Sequence, residues 1–301
     1  MLSIKVPASS ANLGPGFDCL ALALKIYCLF EVQRKEEPGV TISLSPKGSQ
    51  DLSLGEENLF FQTFKRVLHL RGLEPPGLRV RIDNSIPLGR GLGSSSTAVV
   101  AGIVAADRTG NLNLSKEEMF NLAVEIEGHP DNVAAALLGG LTISYREEGG
   151  GFRALAFPVD SGLQVILLVP PVSLSTQKAR EVLPQKVDFS DAVYNLSRTA
   201  ALVSRLLTGQ IGELKEVTRD RLHQRYRAPL YAQSMRLLER VRQEVDCGIA
   251  ISGAGPSVVC LLGSSEVGLE RRLKDLVREE FGEFEPISTQ VDNHGVVVGS
   301  N

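Results

Sequence analysis

The amino-acid sequence predicts an α+β protein built from two domains. Three observations carry that expectation. The 301 residues fit about two domains at ~100–200 residues each. Strand and helix patterns are mixed through residues 1–155. From about residue 160 the pattern changes: the apolar run "LQVILLVPP", bounded by prolines, opens a stretch rich in helices that closes on strand-like segments. The division is placed at 155/156, after the polar loop "REEGGGFR".

Taken in order, "LSIKVP" and "KIYCLFEVQRK" (25–35) read as strands, the second rich in aromatic and β-branched residues. "ENLFFQTFKRVLHLRG" (57–72) reads as a helix, because Leu59, Phe60, Phe64, Val67 and Leu68 recur at steps of three and four and Gly72 ends the run. "GLRVRID" alternates apolar and charged residues, the mark of a half-buried strand. "SSSTAVVAGIVAADR" is an Ala-rich helix whose serines are expected as N-caps. Ser115 and Glu118 form a capping box ahead of a helix over 115–128. "HPDNVAAALLGG" is a turn into a short helix, and "LTISYRE" a strand. Helices are expected near 176–183, 190–207, 211–223 and 231–245. "GIAISGAGPSVVCLL" then reads as strand, loop, strand, followed by an amphipathic helix over 267–280 and a terminal β stretch, "EFEPISTQVDNHGVVVG".

Composition narrows the function classes. With 43% hydrophobic and 22% charged residues and a net charge of −3, the chain is an ordinary globular protein without the basic footprint of a nucleic-acid binder. No apolar run approaches the ~20 residues that span a bilayer, and the N-terminus lacks the pattern of a signal peptide. Cys19, Cys28, Cys247 and Cys260 form no C-x-x-C pair. Buried free thiols in a reducing cytoplasm are therefore expected rather than disulfides or zinc.

Four motifs carry chemistry. "IPLGRGLGSSSTAVVAG" (86–102) is neither Walker A, lacking Lys-Ser or Lys-Thr after the glycines, nor a dinucleotide fingerprint, since Ser94 stands where the third glycine belongs. Gly89, Gly91 and Gly93 permit close approach and positive φ. The serines then open a helix whose first amides have no internal partner, an anion site suited to a phosphate chain. A flexible linker would not run straight into so apolar a helix. "SGAGPS" (252–257) is either a tight β-turn or a point of close approach. "EIEGHPDN" (125–132) crowds acids, a histidine and an asparagine at helix ends, as Mg²⁺ ligands and bases or as a structural histidine beside solvated glutamates. "VPASSANLGPGFD" reads as an exposed edge strand running into a substrate-facing turn or a hairpin loop.

These words, in this order along nearly the whole chain, resemble the GHMP kinases, and "SANLGPGFD", "EGHPDNVA" with "LLGG", and "STQKAREVLP" resemble the homoserine kinase branch. The resemblance implies an N-terminal domain of the ribosomal protein S5 domain 2-like type and a ferredoxin-like C-terminal domain. It implies ATP-dependent phosphorylation of L-homoserine to O-phospho-L-homoserine in threonine biosynthesis, a cytoplasmic setting and often a homodimer.

By position, the resemblance places the ATP phosphates on Pro87, Leu88, Gly89, Arg90, Gly91, Leu92, Gly93, Ser94, Ser95, Ser96 and Thr97, with Asn58 facing the adenine. Ser95 and Glu127 would ligate Mg²⁺, with Glu125 as the neighbouring alternative. Asn12, Asp18, His129 and Asn132 would surround the substrate, Asp18 meeting the α-ammonium. Arg180 and Arg227 would hold the α-carboxylate in forked guanidinium pairs, and Thr176 with Gly253 or Gly255 would complete the pocket. Asn132, Asp131 and Arg180 are the catalytic candidates, Asp131 as a base if one is needed. Departures are small: Ala135 stands for a usual proline, Cys19 follows Asp18, and the segment from Glu127 to His129 is short. Arg90 is expected either on phosphate or in solvent. Two rival readings are a mevalonate-type kinase, which "STQKAR" and "SANLGPGFD" oppose, and a dinucleotide-binding oxidoreductase. The latter needs an acid about 20 residues on, ending a strand, whereas Glu117 falls in a separate helical pattern.

Overall fold

The computed structural model describes residues 1–45, 52–159, 162–211, 213–263 and 268–300. The chain forms β1 (Leu2–Ala11), β2 (Leu20–Lys35), β3 (Val40–Leu44), α1 (Leu59–Leu70), β4 (Gly77–Asn84), α2 (Ser94–Gly110), α3 (Lys116–Glu127), α4 (Asp131–Leu138), β5 (Leu141–Arg146) and β6 (Phe152–Phe157). It continues with β7 (Leu163–Val169), α5 (Thr176–Glu181), α6 (Phe189–Thr208), α7 (Leu214–Val217), α8 (Gln224–Arg227), α9 (Ala232–Glu244), β8 (Gly248–Ile251), β9 (Val258–Gly263), α10 (Leu269–Glu280), β10 (Glu285–Gln290) and β11 (Val297–Ser300).

Two sheets organise these elements. In the first, the strand order is β11-β1-β2-β4-β3, and β5 and β6 branch from β2. The branching follows from the 16-residue length of β2: Cys28–Lys35 pair with β4, while Leu20–Leu22 pair with β5. Against this sheet packs α2, apolar on nearly all sides and therefore buried. Its Gly102 lets α1 approach, since a Cβ there would lie 2.6 Å from the Phe60 carbonyl oxygen. The second sheet is antiparallel in the order β10-β7-β9-β8. Numbered along the chain from β7, this is the 4-1-3-2 order of a ferredoxin-like β-α-β-β-α-β unit. The apolar faces of α9 and α10 close its core with Leu237, Leu238, Val241, Leu273 and Val277.

Several local expectations are corrected. Strands β3 and β6 were not read from the sequence, and β2 begins five residues early, in the small apolar run "LALAL". The loop "REEGGGFR" is the hairpin turn between β5 and β6, and a division at 155/156 falls inside β6. β11 brings the chain's end back to β1, which is thus flanked by β11 and β2 over Leu2–Lys5 and is not an edge strand. The N-cap of α2 is Gly93 in the left-handed region; the three serines occupy the first helical turn. Among the described residues of 211–223, only Leu214–Val217 is helical, because Asp220 turns the chain by accepting hydrogen bonds from the backbone N–H groups of Leu222, His223 and Gln224. Residues 212 and 267, within two of the expected helices, lie outside the described residues. Among the described residues no helix is long and apolar enough to cross a membrane, and all four cysteines are free thiols.

Candidate active site

The loop 87–93 is held from behind on three sides. From β1, the Ser9 N–H donates to the Leu92 carbonyl at 3.1 Å. From "SGAGPS", the Ser252 hydroxyl donates to the Gly91 carbonyl at 2.8 Å, and the Ser257 N–H donates to that of Arg90 at 3.3 Å. From the segment after β7, the Leu174 N–H donates to the Gly89 carbonyl at 2.9 Å. The carbonyls of residues 89–92 are thus all engaged, whereas among the described residues no protein acceptor meets the N–H groups of Leu88, Gly89, Gly91, Leu92 and Gly93, that of Arg90 being turned back toward Pro87. The first amides of α2 add to this set. Gly89, Gly91 and Gly93 have φ of 64°, 75° and 72°, the region that admits glycine without strain. The loop is therefore a stiff cradle of free amides at the positive end of a helix dipole, an anion site by construction.

Arg90 differs from both sequence expectations. Its guanidinium donates to the carbonyls of Pro170, Leu88 and Pro171, so it is a strut that ties the cradle to the end of β7. The close approach foreseen at "SGAGPS" is real: the partner is the first glycine loop itself, packed so tightly that a Cβ on Gly91 would lie 2.3 Å from the Ser252 carbonyl oxygen.

One cleft is lined by Pro87, the cradle, Ser94–Ser96, Asn12, Asp18, Glu127, His129, Asp131, Asn132, Thr176, Arg180, Arg227 and Gly253. A second cavity of about 330 Å³ shares Gly89, Ser94 and Ser95 with it and is walled by Phe30, Leu59, Ile82, Leu88 and Ala98, with Thr97 and Asn58 at its border. Asn58 caps α1: its side-chain oxygen accepts from the Phe60 N–H, and its amide donates to the Ser53 carbonyl. The Thr97 hydroxyl is likewise turned onto its own helix, at the Ser94 carbonyl, and Leu92 belongs to the core.

Beyond the cradle, Ser95 is exposed, and its hydroxyl donates to Glu127. Glu125 points elsewhere, pairing with Arg66 of α1. His129 is buried, with Nδ1 3.0 Å from Asp131 Oδ1 and Nε2 3.4 Å from Glu127 Oε2. Burial pulls its pKa down, but the hydrogen bond and charge of Asp131 and the charge of Glu127 outweigh that and hold it above the ordinary value. Asp131 Oδ1 also accepts from the Asn132 backbone N–H at 2.7 Å and its side-chain amide at 3.3 Å. Asn132 Oδ1 in turn accepts from the Ser9 hydroxyl.

At the far end, Asn12 sits at φ 68°, its amide donating to the Gly253 carbonyl and its oxygen accepting from the Asp18 N–H, so both ends of that side chain hold the loop. Asp18 and Arg180 form a bidentate pair, rather than standing apart as the expected ammonium and carboxylate readers. Burial opposes the charge of Arg180, but the Asp18 hydrogen bond and charge raise its pKa. Arg227 is almost fully buried and donates to the Ala179 and Gly253 carbonyls. Thr176 opens α5 at the rim, and Gly255, beside Tyr231, supports the loop from outside the lining. Sequence reasoning missed Phe17, whose ring lies 5.8 Å from the Arg180 guanidinium and 5.2 Å from that of Arg227. It also missed Ser9, Ser10 and Ser252, whose signal was the serine pair in "PASSA" beside the expected turn.

The GHMP kinases N terminal domain family matches residues 58–140, from the cap of α1 through α4. A homoserine kinase from Clostridium botulinum is 37% identical, covering 100% of this chain and 99% of its own. One from Caldicellulosiruptor saccharolyticus is 39% identical, covering 100% and 97%. A structure from Listeria monocytogenes described as a homoserine kinase aligns over the full length of both chains with a TM-score of 0.79 at 30% identity.

Proposed function

The chain belongs to the homoserine kinase family of GHMP kinases, and from that premise we propose that it transfers the γ-phosphoryl group of ATP to the side-chain hydroxyl of L-homoserine, giving ADP and O-phospho-L-homoserine. The observation that carries the reading is the single cleft in which a cradle of free amides faces a pocket bearing Asp18, Arg180 and Arg227. A phosphate chain and a small zwitterion are what those two halves attract.

The adenosine occupies the apolar cavity beside Asn58 and the phosphates lie on the cradle. Ser95 Oγ and Glu127 fit a Mg²⁺ bound chiefly through phosphate and water, because they meet each other at the cradle's mouth. Among the described residues no cluster of three or more acids, histidines or cysteines could cage a metal alone. When bound, the ion would neutralise charge on the phosphates. The substrate's ammonium goes to Asp18 and its carboxylate to Arg180 and Arg227. His129, Thr176 and Gly253 bound the remainder, and Asn132 orients the hydroxyl. The hydroxyl oxygen forms a bond to the γ-phosphorus as the bond to the leaving ADP oxygen breaks, and the hydroxyl proton passes to an oxygen of the transferred phosphoryl group. Such a transition state is loose, so placement and charge do most of the work. We therefore give Asp131 the role of holding Asn132 and His129.

The first sheet and its helices supply the cradle and the chain from β7 onward supplies Thr176, Arg180, Arg227 and Gly253, the division of labour proposed for the two domains. The free cysteines suit a reducing cytoplasm. A homodimer is the assembly proposed, through the uncharged outer face of α6. The test of function is ADP release with ATP and Mg²⁺ on adding L-homoserine, with mevalonate, galactose and shikimate giving little. Turnover of another alcohol without homoserine turnover overturns the substrate assignment.

A further inference from the structure

In "DRLHQRYR", Arg227 belongs to the cleft, but His223 does not line it. His223 is fully buried, and two partners define its chemistry. Its Nε2 lies 2.8 Å from the Gly14 carbonyl oxygen, which can only accept, so Nε2 carries the proton. Its Nδ1 lies 3.3 Å from Arg227 Nη1, which can only donate, so Nδ1 presents a lone pair. The ring is the neutral Nε2–H tautomer. The charged groups around it are Asp220, with Oδ2 3.8 Å from Nε2, then Arg227 and Asp18. Burial lowers its pKa against the pull of Asp220, whose carboxylate is already engaged with Asn195 and three backbone N–H groups. On the ring's side stands Phe17, 5.2 Å between centroids. Gly14 is seated so closely, at φ 88°, that a Cβ would lie 2.1 Å from the Thr218 carbonyl oxygen.

We propose that His223 is a positioning residue that locks Arg227 and the Asn12–Asp18 loop into one frame, fixing the separation between the groups that read the substrate's carboxylate and its ammonium. Neither link alone does this. The Gly14 bond, which spans 209 residues of sequence, places the loop, the Arg227 bond aims the guanidinium, and the rigid imidazole joins the two. The inference rests on the reading of the cleft given above.

The experiment separates the two links. His223→Gln keeps a donor near the Nε2 position and loses the acceptor facing Arg227. Its kcat/KM is measured for L-homoserine and for 3-aminopropan-1-ol, the same amino alcohol without the carboxylate. The expected result is a fall of about tenfold or more for homoserine, under threefold for 3-aminopropan-1-ol, and an unchanged ATP KM. Equal falls for both substrates would mean a purely structural role and overturn the proposal. Independently of any variant, ¹⁵N NMR of the wild-type imidazole is expected to show the Nε2–H tautomer unchanged from pH 5.5 to 8.5. An Nδ1–H tautomer, or titration near the ordinary ~6.5, also overturns it. If the wild-type enzyme does not phosphorylate homoserine, the reading of the cleft fails, and the NMR result still decides whether His223 makes the Gly14 and Arg227 links.

Discussion

Arg180 grips Asp18 through both terminal nitrogens, Nη1 to Oδ2 at 2.9 Å and Nη2 to Oδ1 at 2.7 Å. Each side chain is about one-third exposed, 35% and 33%, and both face the cleft. On the proposed function, a zwitterionic amino acid would offer both partners a replacement charge, so the pair would open to it at small electrostatic cost. Arg180→Lys keeps the charge but loses the planar fork. It is expected to raise the homoserine KM about tenfold to a hundredfold, the worth of ~1.5–3 kcal/mol for a hydrogen bond to a charged group, with the ATP KM unchanged. Steady-state kinetics with each substrate varied decides this, and parallel increases in both constants would remove Arg180 from the amino-acid subsite.

The cradle makes a stability prediction. Gly91 combines φ 75° with a would-be Cβ 2.3 Å from a backbone oxygen, whereas the corresponding contact at Gly93 is the Ser9 hydroxyl, at 2.0 Å. Left-handed strain alone costs ~1–2 kcal/mol; a backbone clash adds to it, while a serine hydroxyl can turn aside. Gly91→Ala is therefore expected to cost about 3 kcal/mol or more, and Gly93→Ala less. Adding Ser9→Ala to Gly93→Ala should restore part of the loss. Denaturant unfolding ranks them, and a Gly93→Ala defect larger than that of Gly91→Ala contradicts the packing described.

What the sequence revealed follows from where short-range chemistry decides. Capping boxes, glycine positions and helix periodicity are local, so α1, α2, α3 and the glycine loop that opens α2 were legible. The residue types that line the cleft were legible through family resemblance. The back of the cradle was not, because Ser9, Ser252 and Arg90 act through contacts between segments remote in sequence. Arg90 illustrates the limit: a charged residue in a glycine loop suggests phosphate, yet its position opposite two proline carbonyls makes it a strut. β3 and β6 were missed for a related reason, since each is a short outer strand recognisable only by its neighbour.

His129 gives the protein a pH signature. Its folded pKa is raised, so the stability it contributes is complete below the unfolded value of ~6.5 and is lost as pH rises through the folded pKa. Thermal unfolding of the nucleotide-free protein is expected to weaken across that window, starting near pH 6.5, and His129→Gln is expected to flatten this part of the profile. Deprotonation also frees Glu127 from an imidazolium neighbour, so affinity for Mg²⁺ with ATP should rise across the same window. Calorimetric titration between pH 6 and 9 reads this, and a falling affinity would refute the coupling.

The outer face of α6 predicts the assembly. Phe189, Val193, Leu196, Ala200, Val203 and Leu207 recur at spacings of four and three in strict alternation, with Phe189 85% and Leu196 71% exposed. No exposed residue of the helix is charged. The series reads the same in both directions, so an antiparallel second copy sets Phe189 against Leu207, Val193 against Val203 and Leu196 against Ala200, the reciprocal contacts of an isologous interface. The inner face of the same helix holds the Asn12–Asp18 loop, with Asn195 and Thr199 both donating to the Pro15 carbonyl. Leu196→Glu, which buries a charge at the centre of the seam, is expected to give a folded monomer with a higher homoserine KM. Light scattering after gel filtration measures the mass, and cysteines at 196 and 200 together should cross-link copies where cysteine at 196 alone does not. A wild-type monomer at tens of micromolar, or a Leu196→Glu dimer, places the interface elsewhere or nowhere.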